Sequence, residues 1–199
     1  MSNPKTNSLL DEGNRLFLQG NFEQAINYYD KILDDDPKHV SSLNNKGYAL
    51  SKLKDFTNAM KCYDAALKIS PDDLSVLINK ISSFRKQGNL VEALMICDNI
   101  LKNNKNYNIV LYHKERILFS MEKFDESISC CNSILEDYPD NGDVLFDKAS
   151  NFAMLSNFDD ALNLLEHAIS QGIQYKIKAK KSKSFENLSN NARFQNLIS

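Results

Sequence analysis

Between Val40 and Asp73 the apolar positions follow two helical runs in succession. Leu43, Gly47 and Leu50 recur at i, i+4 and i+7, the spacing of one helix face, and Phe56, Met60, Tyr63 and Leu67 repeat that spacing further on. Pro71 closes the stretch, where its missing N–H and fixed φ end a helix. A second stripe, Ser41, Asn45, Tyr48 and Lys52, keeps the same spacing on another face. It is polar and cannot share the core with the first. The pattern predicts two amphipathic helices joined by a short turn, with one face spare.

The same template fits four more times when it is slid along the chain in steps of about 34 residues. One column reads Leu9, Leu43, Leu77, Leu111 and Leu145; another reads Ala25, Ala59, Ala93, Ser127 and Ala161; a third reads Phe22, Phe56, Leu90, Phe124 and Phe158. The glycines Gly13 and Gly47 and the small Ala25 mark places where paired helices approach closely. The middle copies depart most. Ile81 and Glu115 stand in the glycine column, and Lys105 stands where proline closes the unit. A carboxylate in that column calls for an exposed edge or a cationic neighbour.

A two-helix unit of this length, with Leu, Gly, Tyr, Ala, an aromatic residue and Pro at these spacings, resembles the tetratricopeptide repeat (TPR). The resemblance implies an all-α, right-handed α-solenoid of about five helix-turn-helix repeats, at about 6–39, 40–73, 74–107, 108–141 and 142–175. Residues 176–199 follow as a cap: a basic helix carrying Lys176, Lys178, Lys180, Lys181 and Lys183, then a short final helix. That ending is similar to the segment closing many prokaryotic TPR proteins. Phe185, Leu188, Phe194 and Leu197 are its inward side, with Ser184 and Asn191 as helix N-caps.

Charge narrows the partners. Twenty-four basic and 26 acidic residues leave a net charge of −2, so no global field draws the chain to nucleic acid or membrane. The first residues lack an apolar signal core and no later run is long enough to span a bilayer, so the expected location is cytoplasmic. Four cysteines, Cys62, Cys97, Cys130 and Cys131, lie within predicted second helices without a C-x2-C pair, and read as buried reduced thiols. The Asp34–Asp36 run lacks the spacing of a calcium loop.

No phosphate loop, dinucleotide fingerprint, H-E-x-x-H or G-x-S-x-G occurs. The expectation is a non-enzymatic chain with no cofactor and no metal. What remains is the spare stripe, which in TPR proteins lines a concave groove that receives an extended or helical peptide. Reading its columns across the copies gives candidate groove residues Asn14, Asn44, Asn45, Tyr48, Asn79, Arg85, Tyr112, His113, Arg116, Phe119 and Phe146. The amides can donate and accept to a peptide main chain, and the aromatics offer anchor pockets. The carboxylate clamp of chaperone-binding TPR proteins does not fit, because its cationic columns hold Leu10, Ser75 and Asn79. Lys46, Lys80, Lys114 and Lys148 form a column of their own, read as snorkelling side chains with heads in water. The expected function is a scaffold for protein–protein interaction. The alternatives are nucleic-acid binding through Lys176–Lys183 and self-association into a homo-oligomer.

Overall fold

Each 34-residue copy becomes two helices in the computed structural model, which describes residues 4–103 and 107–199. Lys105, and with it the missing closing proline, lies outside those residues. First helices are α1 (Pro4–Leu18), α3 (Val40–Lys52), α5 (Leu74–Gln87), α7 (Asn108–Ser120) and α9 (Gly142–Met154). Second helices are α2 (Phe22–Asp35), α4 (Phe56–Ile69), α6 (Leu90–Asn103), α8 (Phe124–Asp137) and α10 (Phe158–Gln171). The chain then continues through α11 (Gln174–Lys181), a 3-10 segment Lys183–Leu188, and α12 (Ala192–Ile198). There is no strand among the described residues. The fold is all-α, with consecutive helix pairs packed as in a TPR solenoid. It divides into two compact units, residues 1–96 and 97–199.

Every first helix ends in the same way, and the sequence shows this only in part. Gly20, Lys54, Gly88, Glu122 and Ser156 share one repeat position and all have positive φ, between 59° and 87°. The residue after each donates its N–H five residues back, as Asn21 does to Leu16 (3.0 Å) and Lys123 to Leu118 (2.9 Å). This is a Schellman motif, which ties off the last carbonyls of a helix through one left-handed residue. Glycine adopts that conformation freely; lysine, glutamate and serine hold it at a cost.

In the first unit α2 packs between α1 and α3, and α4 between α3 and α5. Ala25 and Ala59 are fully buried at the centres of two cores, one with Leu16, Tyr29 and Ala49 and one with Leu43, Tyr63, Ala66 and Val76. The glycine column serves the tyrosines. A Cβ at Gly13 would stand 2.7 Å from Tyr29 Cε1, and one at Gly47 would stand 2.7 Å from Tyr63 Cε1. Each ring lies where a side chain would otherwise be, so the phenol is buried whole.

In the second unit α8 packs between α7 and α9, and α9 pairs with α10. The last core holds Leu145, Ala149, Ala161, Leu165 and Ala168 together with Tyr175, Phe185, Leu188, Phe194 and Ile198 from the closing segment. An apolar face that a further repeat would cover is covered by the cap instead. Asn191 caps α12 by accepting from Phe194 N, whereas Ser182, not Ser184, caps the 3-10 segment.

Candidate functional site

The spare stripe lies on the first helices, and in the first unit its amides bond to one another. Asn45 Nδ2 donates to Asn14 Oδ1 at 2.8 Å, and Asn79 Nδ2 donates to Asn44 Oδ1 at 3.0 Å. Asn14 Oδ1 also accepts from the Tyr29 hydroxyl at 3.0 Å. Burial pushes that hydroxyl up to about 12, so it stays a proton donor across the ordinary pH range. The amides expected to meet a peptide thus first join successive first helices. Asn44 is itself buried. A second internal chain runs from Tyr63 Oη to Ser83 Oγ (3.4 Å) and from Ser83 to Ser51 Oγ (2.7 Å).

Beside the Asn14–Asn45 pair lies a pocket of about 290 Å³, lined by Asn14, Phe17, Leu18, Tyr29, Asn45 and Tyr48. The Phe17 and Tyr48 rings pack against each other in its wall, their centroids 5.0 Å apart. Leu18 at its rim is 84% exposed, the most open large apolar side chain among the described residues. On the Tyr48 ring sit two ammonium groups, Lys52 Nζ at 5.2 Å and Lys86 Nζ at 5.9 Å from its centroid. Desolvation, and then repulsion from Lys52 and Arg85, lowers the Lys86 pKa. Arg85 is half-buried on α5. Leu18, Lys52 and Lys86 occupy one repeat position.

The lysines one column away behave differently. Lys46 bonds Asp30 (2.5 Å), Lys80 bonds Asp64 (2.6 Å) and Lys114 bonds Asp98 (2.7 Å), each reaching the second helix of the repeat before. The reading of heads left in water is therefore corrected: three of the four are ion-paired. Lys148 faces Phe152 instead, and the residue sixteen before it is Asn132.

The candidates in the second unit make contacts of their own. Arg116 Nη1 donates to Tyr112 Oη at 3.0 Å and its guanidinium lies 5.3 Å from that ring. Tyr112 and His113 are 6.4 Å apart, and Phe119 packs edge-on against Phe124 at 5.5 Å. Phe146 is no surface anchor. It is buried, 5.9 Å from Tyr175 and 5.6 Å from Phe185, because the cap closes over it.

Glu115 lacks the exposed edge expected of it, and the cationic pull it receives, from Arg116, is weaker than its desolvation. It is 2% exposed, and its Oε1 accepts from Ser127 Oγ at 3.1 Å and Asn151 Nδ2 at 3.4 Å. Ser127 is the one departure from the alanine column, and it falls in the repeat where glutamate replaces glycine. Oε2 and Asn151 Oδ1 are buried without a hydrogen-bond partner. Desolvation, reinforced by Asp147, raises the Glu115 carboxyl to about 7. Desolvation also raises Asp147, against the opposing pull of Arg116.

All four cysteines are buried free thiols, and burial pushes Cys97 up to about 12 and Cys130 up to about 11. Among the described residues no cluster of three or more His, Cys, Asp or Glu has metal-binding geometry, and no helix is long and apolar enough to cross a membrane. In the basic ending, Lys178 is bound to Asp143 (2.6 Å) and Arg193 to Glu166 (2.6 Å).

Residues 10–73 match the family model of the tetratricopeptide repeat. Helix pairs recur on the same columns to residue 171. Residues 10–73 carry tetratricopeptide repeats, and the chain as a whole has the TPR fold. Its fold is shared by a TPR protein from Parabacteroides merdae (TM-score 0.81, 18% identity, 98% of this chain and 78% of that one). It is shared too by YrrB, described as a TPR protein with an unusual peptide-binding site (TM-score 0.66, 20% identity, 87% and 91% covered). A MamA segment from Desulfovibrio magneticus matches with a TM-score of 0.74 at 15% identity, over 92% and 100% of the two chains. No curated protein matches the sequence. TPR proteins are typically non-catalytic scaffolds for protein–protein interaction, and that general role is the one the fold supports.

Proposed function

We propose that this protein binds a peptide segment of a protein partner on its first-helix surface, through the pocket lined by Phe17, Leu18 and Tyr48. The observation that carries this reading is that pocket itself: about 290 Å³, lined by the aromatic residues Phe17, Tyr29 and Tyr48 and rimmed by an 84% exposed leucine. Small-molecule sites begin near ~300 Å³, so this cavity suits one inserted side chain better than a whole metabolite. The amides Asn14 and Asn45 form its polar edge, already oriented by Tyr29. Preorganised polar groups beside an apolar anchor pocket are the usual makings of a peptide hot spot. YrrB, of similar fold, is described as binding a peptide, which supports the reading by analogy.

Selection of displayed random peptides on the immobilised protein tests it. Enriched peptides should share an apolar residue and lose binding to Tyr48→Ala, while the helical signal of the variant is unchanged. Peptides that bind Tyr48→Ala as well as the parent would sink the reading.

A further inference from the structure

Lysines in this chain fall into two classes. At the column of Lys46 and Lys80 each ammonium is matched by an aspartate within 2.6 Å. At the column of Lys52 and Lys86 neither has an ion pair among the described residues, although both lie within 6 Å of the Tyr48 ring centroid. These two cations share a stripe with Leu18, one residue from each of three successive first helices: apolar, basic, basic. The pocket lies at the apolar end, and Tyr48 belongs both to the pocket wall and to the cation cluster. Two cations gathered over one ring repel each other, and a carboxylate bound between them offsets that repulsion.

Resting on the peptide-binding reading above, we infer that the partner segment is acidic: an apolar side chain enters the Phe17–Leu18–Tyr48 pocket while neighbouring Asp or Glu residues meet Lys52 and Lys86. Packed helices stand about 8–10 Å apart, so an extended chain crossing from α1 to α3 uses about three residues. The acidic residues therefore sit about three positions from the anchor. This is not a clamp on a terminal carboxylate, whose cationic columns are unfilled here. It reads side-chain carboxylates beside an internal anchor. The depressed Lys86 pKa agrees, since a bound anion would restore it.

The test uses a fluorescein-labelled, terminally blocked peptide with a central phenylalanine, serine spacers and aspartates on both sides, against the full chain. Its counterparts carry asparagine for aspartate, or alanine for phenylalanine. The aspartate peptide should bind about five- to tenfold tighter than the asparagine peptide, the worth of two exposed ion pairs. That margin should vanish in the Lys52→Gln/Lys86→Gln variant and shrink at high salt. Equal binding of the two peptides, both lost in Tyr48→Ala, would overturn the acidic preference and leave the pocket reading standing. Failure of every peptide to bind, while displayed selection still enriches Tyr48-dependent sequences, would overturn it too. A single-stranded oligonucleotide that displaces the aspartate peptide and depends on the same lysines would replace the acidic peptide as occupant.

Discussion

Replacing Glu115 by glutamine should make the protein more stable at pH 8, and the gain should disappear at pH 4.5. The carboxyl is 2% exposed, with Ser127 and Asn151 bonded to one oxygen and nothing bonded to the other. Its raised pKa means that the folded chain binds this proton more tightly than the unfolded chain. Between about 4.5 and 7 the folded state therefore holds more protons, and stability falls as pH rises through that window. From 4.5 to about 7, at about 1.4 kcal/mol per tenfold change in proton affinity, the ionised glutamate costs about 3 kcal/mol. A carboxamide stays neutral and keeps an acceptor for Ser127. Urea unfolding followed by circular dichroism at pH 4.5, 6, 7 and 8 measures the effect. The difference between the two proteins should open steadily toward pH 8, while groups titrating elsewhere cancel from it. Asp147 shifts in the same direction and remains in both, so the variant keeps a smaller fall of its own. Parallel curves for parent and variant would refute the assignment of a buried, proton-hungry carboxyl.

Three further outcomes follow from the repeat columns. Lys54→Gly, Glu122→Gly and Ser156→Gly should each raise stability, by about 0.5–1 kcal/mol, because each residue holds a left-handed φ that glycine adopts without strain; thermal melts of the triple variant should show the gains adding. Gly47→Ala should cost about 1–3 kcal/mol, since the new Cβ meets the Tyr63 ring at 2.7 Å. Adding Tyr63→Leu should recover part of that loss, because it copies the Ala149 and Leu165 pair of the last core, and a double-mutant cycle reads the coupling. The four buried thiols should resist a disulfide reagent in the native state and react only as fast as the chain opens; a rapid native reaction at Cys97 or Cys131 would contradict their burial.

The helix pairs were legible because burial repeats with the helical period and the leucine column runs unbroken from Leu9 to Leu145; Ala25, Ala59 and Ala93 are all fully buried. The turns were less legible. Only Gly20 and Gly88 announce a left-handed residue, and Lys54, Glu122 and Ser156 adopt it because the flanking helices impose it. The lysine column was visible, but its aspartates stand sixteen residues earlier, a distance set by packing between repeats and not by the helix period. For the same reason the asparagines looked available, whereas neighbouring first helices turn them toward each other. Phe146 was misplaced because no periodicity tells where a cap lands; Tyr175 and Phe185 arrive from beyond the last repeat. Glu115 did leave a trace. Ser127, breaking the alanine column in that very repeat, is the hydroxyl that receives the carboxylate.

The surface that binds the partner is open to direct measurement by titrating a selected peptide into isotope-labelled protein and mapping the amide shifts. Shifts concentrated at Asn14, Phe17, Leu18, Asn45, Tyr48 and Lys52 are the result this account predicts. Shifts confined to the exposed second-helix residues Val91 and Met95, or to Lys180–Lys183 of the cap, would contradict it.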